Sequence, residues 1–186
     1  MSWFTKTLWD LLIRAPRVNA QPSAKATRSR DGAPPRSARV QQRYDSLVAE
    51  MKSTYHVRVR KWRTSTTGCA WEVHYHNGRT TRLIEAPYPR GPMSCAIFLH
   101  EIGHHAIGFG RHKPRCLEEY HAWKWALDTM RERGFNVTEG VEKRMRESMR
   151  YAVEKARRRG LKNLPMELLP YLTESNADDS AAPRAG

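Results

Sequence analysis

The chain has 186 residues, about one domain's worth and enough to bury a core, which excludes a peptide hormone or a short adaptor. Its 33 Lys and Arg against 19 Asp and Glu give a net charge of +14, while 39% hydrophobic residues and six Trp exclude a wholly disordered chain. Excess positive charge favours polyanions, whether nucleic acid, acidic protein or anionic lipid, without choosing among them. Cys69, Cys95 and Cys116 are too few to frame a secreted disulfide scaffold. No run approaches the roughly 18 apolar residues of a membrane span, and the N-terminus lacks a signal peptide's apolar stretch. A soluble, cytoplasmic protein with no membrane span is expected.

In chain order, Trp3, Phe4, Leu8, Leu11 and Leu12 fall on one face at helical spacing, which predicts a short amphipathic segment over 3–13. From Arg14 to Arg39 the composition turns to Arg, Ser, Ala and Pro, a flexible basic linker, so residues 1–39 stand apart from a domain over 40–172. That domain opens with a helix whose stripe is Val40, Tyr44, Leu47, Val48 and Met51. The period then changes to two. Val57 and Val59 alternate with Arg58 and Arg60, and Trp71, Val73 and Tyr75 alternate with Glu72, His74 and His76, as half-buried strands do. Asn77-Gly78 accepts the positive φ angles of a type I′ turn, so the Trp71 strand is expected to fold back onto Thr80 to Glu85. Together these strands predict one small antiparallel sheet in an α+β fold.

Pro92 and Ser94 open CAIFLHEIGHHAIGF, apolar nearly all round and ended by Gly108 and Gly110, a buried helix. Leu117 to about Arg133 reads as a second helix closed by Gly134, and a third runs from an N-cap at Thr138 to Gly160 with Val141, Met145, Met149, Ala152 and Ala156 on one face. Pro165 and Pro170 bracket a short apolar piece, and the small polar tail over 173–186 is expected to be disordered.

His100, Glu101 and His104 spell H-E-x-x-H within the buried helix. Residues at i and i+4 share a helical face, so both imidazoles can aim at one zinc ion. Glu101 beside them can serve as general base, taking a proton from a water acidified by zinc and passing it to a leaving amine. An ordinary surface helix is the plain alternative, but it would not bracket three polar groups with Ile97, Phe98, Leu99, Ile102, Ala106 and Ile107. Zinc wants a third protein ligand. His105 points about 100° away on the helix and suits packing; His112 would need a loop to fold back; Cys116 and His121 remain candidates of lower rank. A glutamate on the next helix is preferred, Glu119 ahead of Glu118, because Glu119, Ala122 and Ala126 share one face small enough for close approach.

HEIGHHAIG followed by E-E-Y-H-A-W-K-W-A resembles the ImmA/IrrE-type zinc metallopeptidases over about residues 40 to 135. On that pattern Glu119 matches the ligand glutamate, Ala122 and Ala126 the alanines and Trp125 the aromatic residue. The resemblance implies a small gluzincin, that is a zincin-like fold with a metal helix followed by a glutamate helix, and a cytoplasmic zinc metalloendopeptidase that cuts a DNA-bound repressor.

In such an enzyme the peptide would lie along a sheet edge, for which Thr80 to Glu85 is the expected strand, and a second donor would steady the oxyanion; Tyr120 and His121 are available for it, but they read first as an ordinary packing Tyr and a surface His. The basic linker and Arg157 to Arg159 offer non-specific nucleic-acid contact. Trp123 and Trp125 read as core residues, and Cys95 and Cys116 as small buried hydrophobes. The rival class is a basic binding module on the same scaffold, contacting nucleic acid or a partner without catalysis. A nuclease ranks last, because its usual carboxylate clusters are missing.

Overall fold

The computed structural model describes residues 36–172. The expected amphipathic segment, the basic linker up to residue 35 and the tail from residue 173 lie outside them. The elements are α1 (Arg36–Thr54), β1 (Val57–Arg63), β2 (Cys69–His74), β3 (Thr80–Pro87), α2 (Pro92–Ile107), α3 (Arg115–Glu132), α4 (Glu139–Arg158) and a 3₁₀ turn (Met166–Tyr171), an α+β arrangement.

Helix α1 begins a turn ahead of its apolar stripe. Tyr44, Leu47, Val48 and Met51 are buried, while Val40 is exposed, since the first turn projects past the core. Tyr44 stacks on Phe135 with centroids 5.0 Å apart. Arg43 Nη2 donates to the carbonyls of Arg133 (3.1 Å) and Gly134 (3.0 Å), satisfying acceptors at the end of α3.

The sheet is mixed rather than antiparallel, in the order β1-β3-β2. The β2–β3 hairpin forms as expected, with Cys69 opposite Glu85 and His74 opposite Thr80. β1 pairs with the other edge of β3 in parallel, because the chain crosses the end of the sheet between Arg63 and Cys69. Alternation reports which residues face the core, and it is blind to strand direction. A register shift between Val59 and Lys61 accommodates one extra residue, after which Trp62 pairs with Ala86 on the face of Val59 and Ile84. There its ring meets Tyr88 (4.7 Å) and Phe98 (5.9 Å).

The hairpin turn also departs from type I′. Only Gly78 has positive φ (78°), and Tyr75 N–H donates to Arg79 O (2.9 Å) while Gly78 N–H donates to Tyr75 O (3.0 Å). This is a three-residue loop in which glycine carries the left-handed position, so Asn77 is spared it and its Oδ1 accepts from Arg79 N–H (3.1 Å).

Helix α2 starts at Pro92, which lacks the donor that a first-turn residue would leave unpaired. Ser94 Oγ accepts from the N–H groups of Arg90 (2.9 Å) and Gly91 (3.2 Å). Every residue from Cys95 to His105 is buried, with the sheet on one side and α3 on another. The closest approach is at Gly103, where a Cβ would stand 2.8 Å from Ala122 O and 3.2 Å from Trp125 Cε3. Helix α4 is capped by Thr138, whose Oγ1 accepts from Val141 N–H (3.4 Å), and buries Val141, Met149, Ala152 and Val153. Among the described residues no helix is long and apolar enough to cross a membrane.

Substituting Gly103→Ala forces a methyl against backbone rather than against a flexible side chain. A loss of about 1–3 kcal/mol in chemical denaturation is expected, and a neutral effect would mean that α2 and α3 are not packed at this distance.

Candidate metal centre

α2 sets His100 and His104 one turn apart, with ring centroids 4.8 Å from each other. From α3, Glu119 reaches both: its Oε2 lies 3.4 Å from His100 Nε2 and 3.5 Å from His104 Nε2. The ligand atoms of His100, His104 and Glu119 all fall within 4.8 Å of one another, and all three side chains are buried. None of the four imidazole nitrogens makes a hydrogen bond, although each is shut away from solvent. Buried polar atoms without partners are costly. Two ligand atoms on a tetrahedral zinc at the usual bond lengths stand about 3.3 Å apart, so the residues present fit that ion.

Aromatic walls and a second carboxylate hold the rings. His100 stacks on Trp123 (4.5 Å, 27°), and His104 lies parallel to Phe109 (5.8 Å, 8°). His104 Nδ1 is 3.4 Å from Glu118 Oε1, the side remote from Glu119. Glu118 is itself fixed, by Gly110 N–H at Oε2 (2.8 Å) and by Arg115 Nη1 at Oε1 (2.8 Å). Arg115 Nε also donates to Glu119 Oε1 (3.3 Å), leaving Oε2 to the imidazoles. The two adjacent glutamates thus divide the work: Glu119 faces both rings, and Glu118 orients one of them from behind.

Glu101 is fully buried and neither oxygen has a partner. The backbone of Gly68, just ahead of β2, closes over it so tightly that a Cβ there would sit 2.5 Å from Glu101 Oε1. Burial pushes the Glu101 carboxyl up to about 8. Burial likewise pushes His100 down to about 4. For His104 burial acts downward too, but the carboxylates of Glu119, Glu118 and Glu101 outweigh it and raise the imidazole to about 9. Glu119 is held well below the usual carboxylate range, since the His104 and His100 charges and contacts overcome its burial.

The remaining sequence candidates stand elsewhere. His105 ties α2 to the sheet: Nε2 donates to Leu83 O (3.2 Å), and Nδ1 is 3.9 Å from Glu72 Oε1. His112 and His121 pair with each other, centroids 4.0 Å apart, and Tyr120 lies against His121 and Tyr171. Cys116 and Cys95 are buried, and burial pushes the Cys95 thiol up to about 12. The expected substrate strand needs correction: β3 is the central strand, paired with β1 from Arg82 onward and with β2 from Thr80 to Glu85, so from Arg82 to Glu85 it offers no free edge. Sequence reading passed over Arg115 and Gly68. Arg115 was legible at i, i+3 and i, i+4 to Glu118 and Glu119; Gly68 gives no local signal.

No protein-family model matches the chain, and no curated protein or solved structure matches it.

Metal analysis of the purified protein is expected to give about one zinc per chain, lost in His104→Ala and in Glu119→Ala. Glu118→Gln should keep the stoichiometry and weaken affinity about 10- to 100-fold; equal loss in both glutamate variants would contradict the division of roles. Because His104 without metal is protonated below about 9, zinc must displace that proton. Affinity should therefore rise with pH from 6.5 to 8.5, about tenfold per unit for each proton expelled, and level off above the imidazole's value.

Proposed function

We propose that the chain is a zinc-dependent metallopeptidase that hydrolyses peptide bonds of a protein substrate. The observation that carries this reading is the convergence of His100, His104 and Glu119, three buried ligand residues with no hydrogen bonds at the imidazoles, beside an equally unpartnered Glu101. Zinc held by the three would polarise the scissile carbonyl and acidify the attacking water. Glu101 accepts the water's proton and delivers it to the departing amine; burial raises its carboxyl to about 8, and a cation held by the three ligands would draw it back toward the ionised form that a base needs. Glu118 and Arg115 act at one remove, fixing the orientation of His104 and Glu119. Trp123 and Phe109 exclude water from the imidazoles.

The proposal extends to the ImmA/IrrE-type relation suggested by H-E-I-G-H and the Glu119 helix, with a cytoplasmic setting, a repressor as target and non-specific nucleic-acid contact through the basic linker. β3 being central, an extended peptide would pair with an outer strand instead.

Two variants separate chemistry from metal binding. Glu101→Gln should retain zinc and lower cleavage of a protein substrate about 10²- to 10⁴-fold. Gly68→Ala, which displaces Glu101 without touching a ligand, should likewise keep zinc and lose activity. Cleavage undiminished in Glu101→Gln would refute the assigned base. Full zinc occupancy with no cleavage by the parent protein, assayed on cell extract by mass spectrometry, would turn the reading to a zincin-like binding module.

A further inference from the structure

In β2 the alternation runs opposite to what a strand half-buried under α2 alone would show. Ala70 enters the helical core opposite Ile84, and Glu72 and His74 follow it on that face. The apolar set, Cys69, Trp71 and Val73, points to the other side of the sheet. There β3 sets Leu83 beside Trp71 and Glu85 beside Cys69. Cys69 is 4% and Trp71 7% exposed, yet neither belongs to the core that the helices share. The helices that meet the sheet, α1 and α2, pack on its opposite face. Arg60 brings its guanidinium to 6.0 Å from the centre of the Trp71 ring, but that side chain is itself 67% exposed and roofs little. A shielded apolar face needs a layer above it, and none of the described helices supplies one.

The rest of the chain narrows the choice of cover. Residues 173–186 hold no Val, Leu, Ile, Met, Phe, Tyr or Trp, and residues 14–35 hold only Val18. The stripe of Trp3, Phe4, Leu8, Leu11 and Leu12 is the one apolar surface outside 36–172 large enough to lie over Trp71 and Leu83. Residues 14–35 give it ample reach: about 70 Å extended, and about 25 Å at the r.m.s. span of an unstructured chain. The 19 residues of α1 measure about 28 Å, and the sheet begins three residues after α1 ends. Charge agrees as well. Arg58 and Lys61 stand on the same outer face, opposite Leu83 and Glu85, exposed and in no ion pair among the described residues. Asp10, the one acid of residues 3–13, borders the stripe.

We propose that residues 3–13 of the same chain are this missing layer, a helix laid across the outer face of β2 and β3 with its apolar stripe on Trp71, Leu83 and Val73 and Asp10 turned toward Arg58 or Lys61. The sheet then lies between two layers. The segment braces the strand that follows Gly68, the residue whose backbone closes over Glu101, so its seat is continuous with the wall of the candidate metal centre.

The test uses the full chain at high dilution, with methyl-labelled leucine, and a Leu8→Asp/Leu11→Asp variant. Nuclear Overhauser contacts are expected between the Trp71 indole and the methyls of Leu8, Leu11 or Leu12. In the variant the Cys69 thiol should react with an alkylating reagent about tenfold faster, while Cys95 and Cys116, both in the helical core, stay protected. Trp71 contacts that lead to a different segment, or none to residues 3–13, overturn the proposal. Contacts seen only between differently labelled molecules in a mixed sample overturn it in favour of a second copy on this face. Equal protection of Cys69 in the parent and in a folded variant also contradicts it. If Cys95 and Cys116 react together with Cys69, the variant has unfolded, and the contacts of Trp71 in the parent chain decide alone.

Discussion

Two histidines and three glutamates are packed almost free of solvent where α2 meets α3, and the rest of the fold is arranged around that unfavourable burial. Desolvating ionisable groups costs several kcal/mol each unless hydrogen bonds or a metal compensate. Hydrogen bonds do so for Glu118, through Gly110, and in part for Glu119, through Arg115. They do not for His100, His104 or Glu101. A divalent cation between the imidazoles and Glu119 would supply the missing compensation where it is lacking, which is why the three residues are best understood as a ligand set.

The constraint propagates outward through close contacts. Gly103 removes the side chain that would hold the helices apart at Ala122, so Glu119 can reach across to α2. The crossing between β1 and β2 carries Gly68 over Glu101, and it is pinned from two sides: Arg144 Nη2 donates to Thr66 O (3.0 Å) and Arg63 Nη1 to Thr67 Oγ1 (3.1 Å). His105 fastens α2 to Leu83 of the central strand. The mixed sheet is therefore a platform for α2 and for one loop, and the candidate metal ligands sit on the helices. α4 completes the opposite flank, where Ala152, Lys155 and Ala156 line a cavity beside Glu119.

Much of this was legible from residue spacing. The i, i+4 histidines, the preference for Glu119, the helix stripes of α1 and α4 and the Trp71 hairpin depend on periodicity and capping, which are local. What escaped was non-local. Strand direction in β1 depends on which edge of β3 the hairpin leaves free, and the turn at Asn77-Gly78 lengthened to put only Gly78 at positive φ. The first of these differences, β1 pairing along the free side of β3, moved the expected substrate strand from an edge to the middle of the sheet. Trp123 was rightly read as a packing residue, yet its partner is the ring of His100, and a helical wheel cannot say which neighbour an aromatic meets. The role of Glu118 behind His104 required the loop through Gly110 to return, again a long-range event.

The central claim is that His100, His104 and Glu119 together hold one zinc ion, and X-ray absorption at the zinc edge of the loaded protein tests it most directly. The account predicts a shell of nitrogen and oxygen at about 2.0–2.1 Å with two imidazoles and no sulfur, and loss of one imidazole signature in His104→Ala. A sulfur contribution at about 2.3 Å would place Cys116 or another thiol in the shell and contradict it; so would a spectrum unchanged by removal of His104.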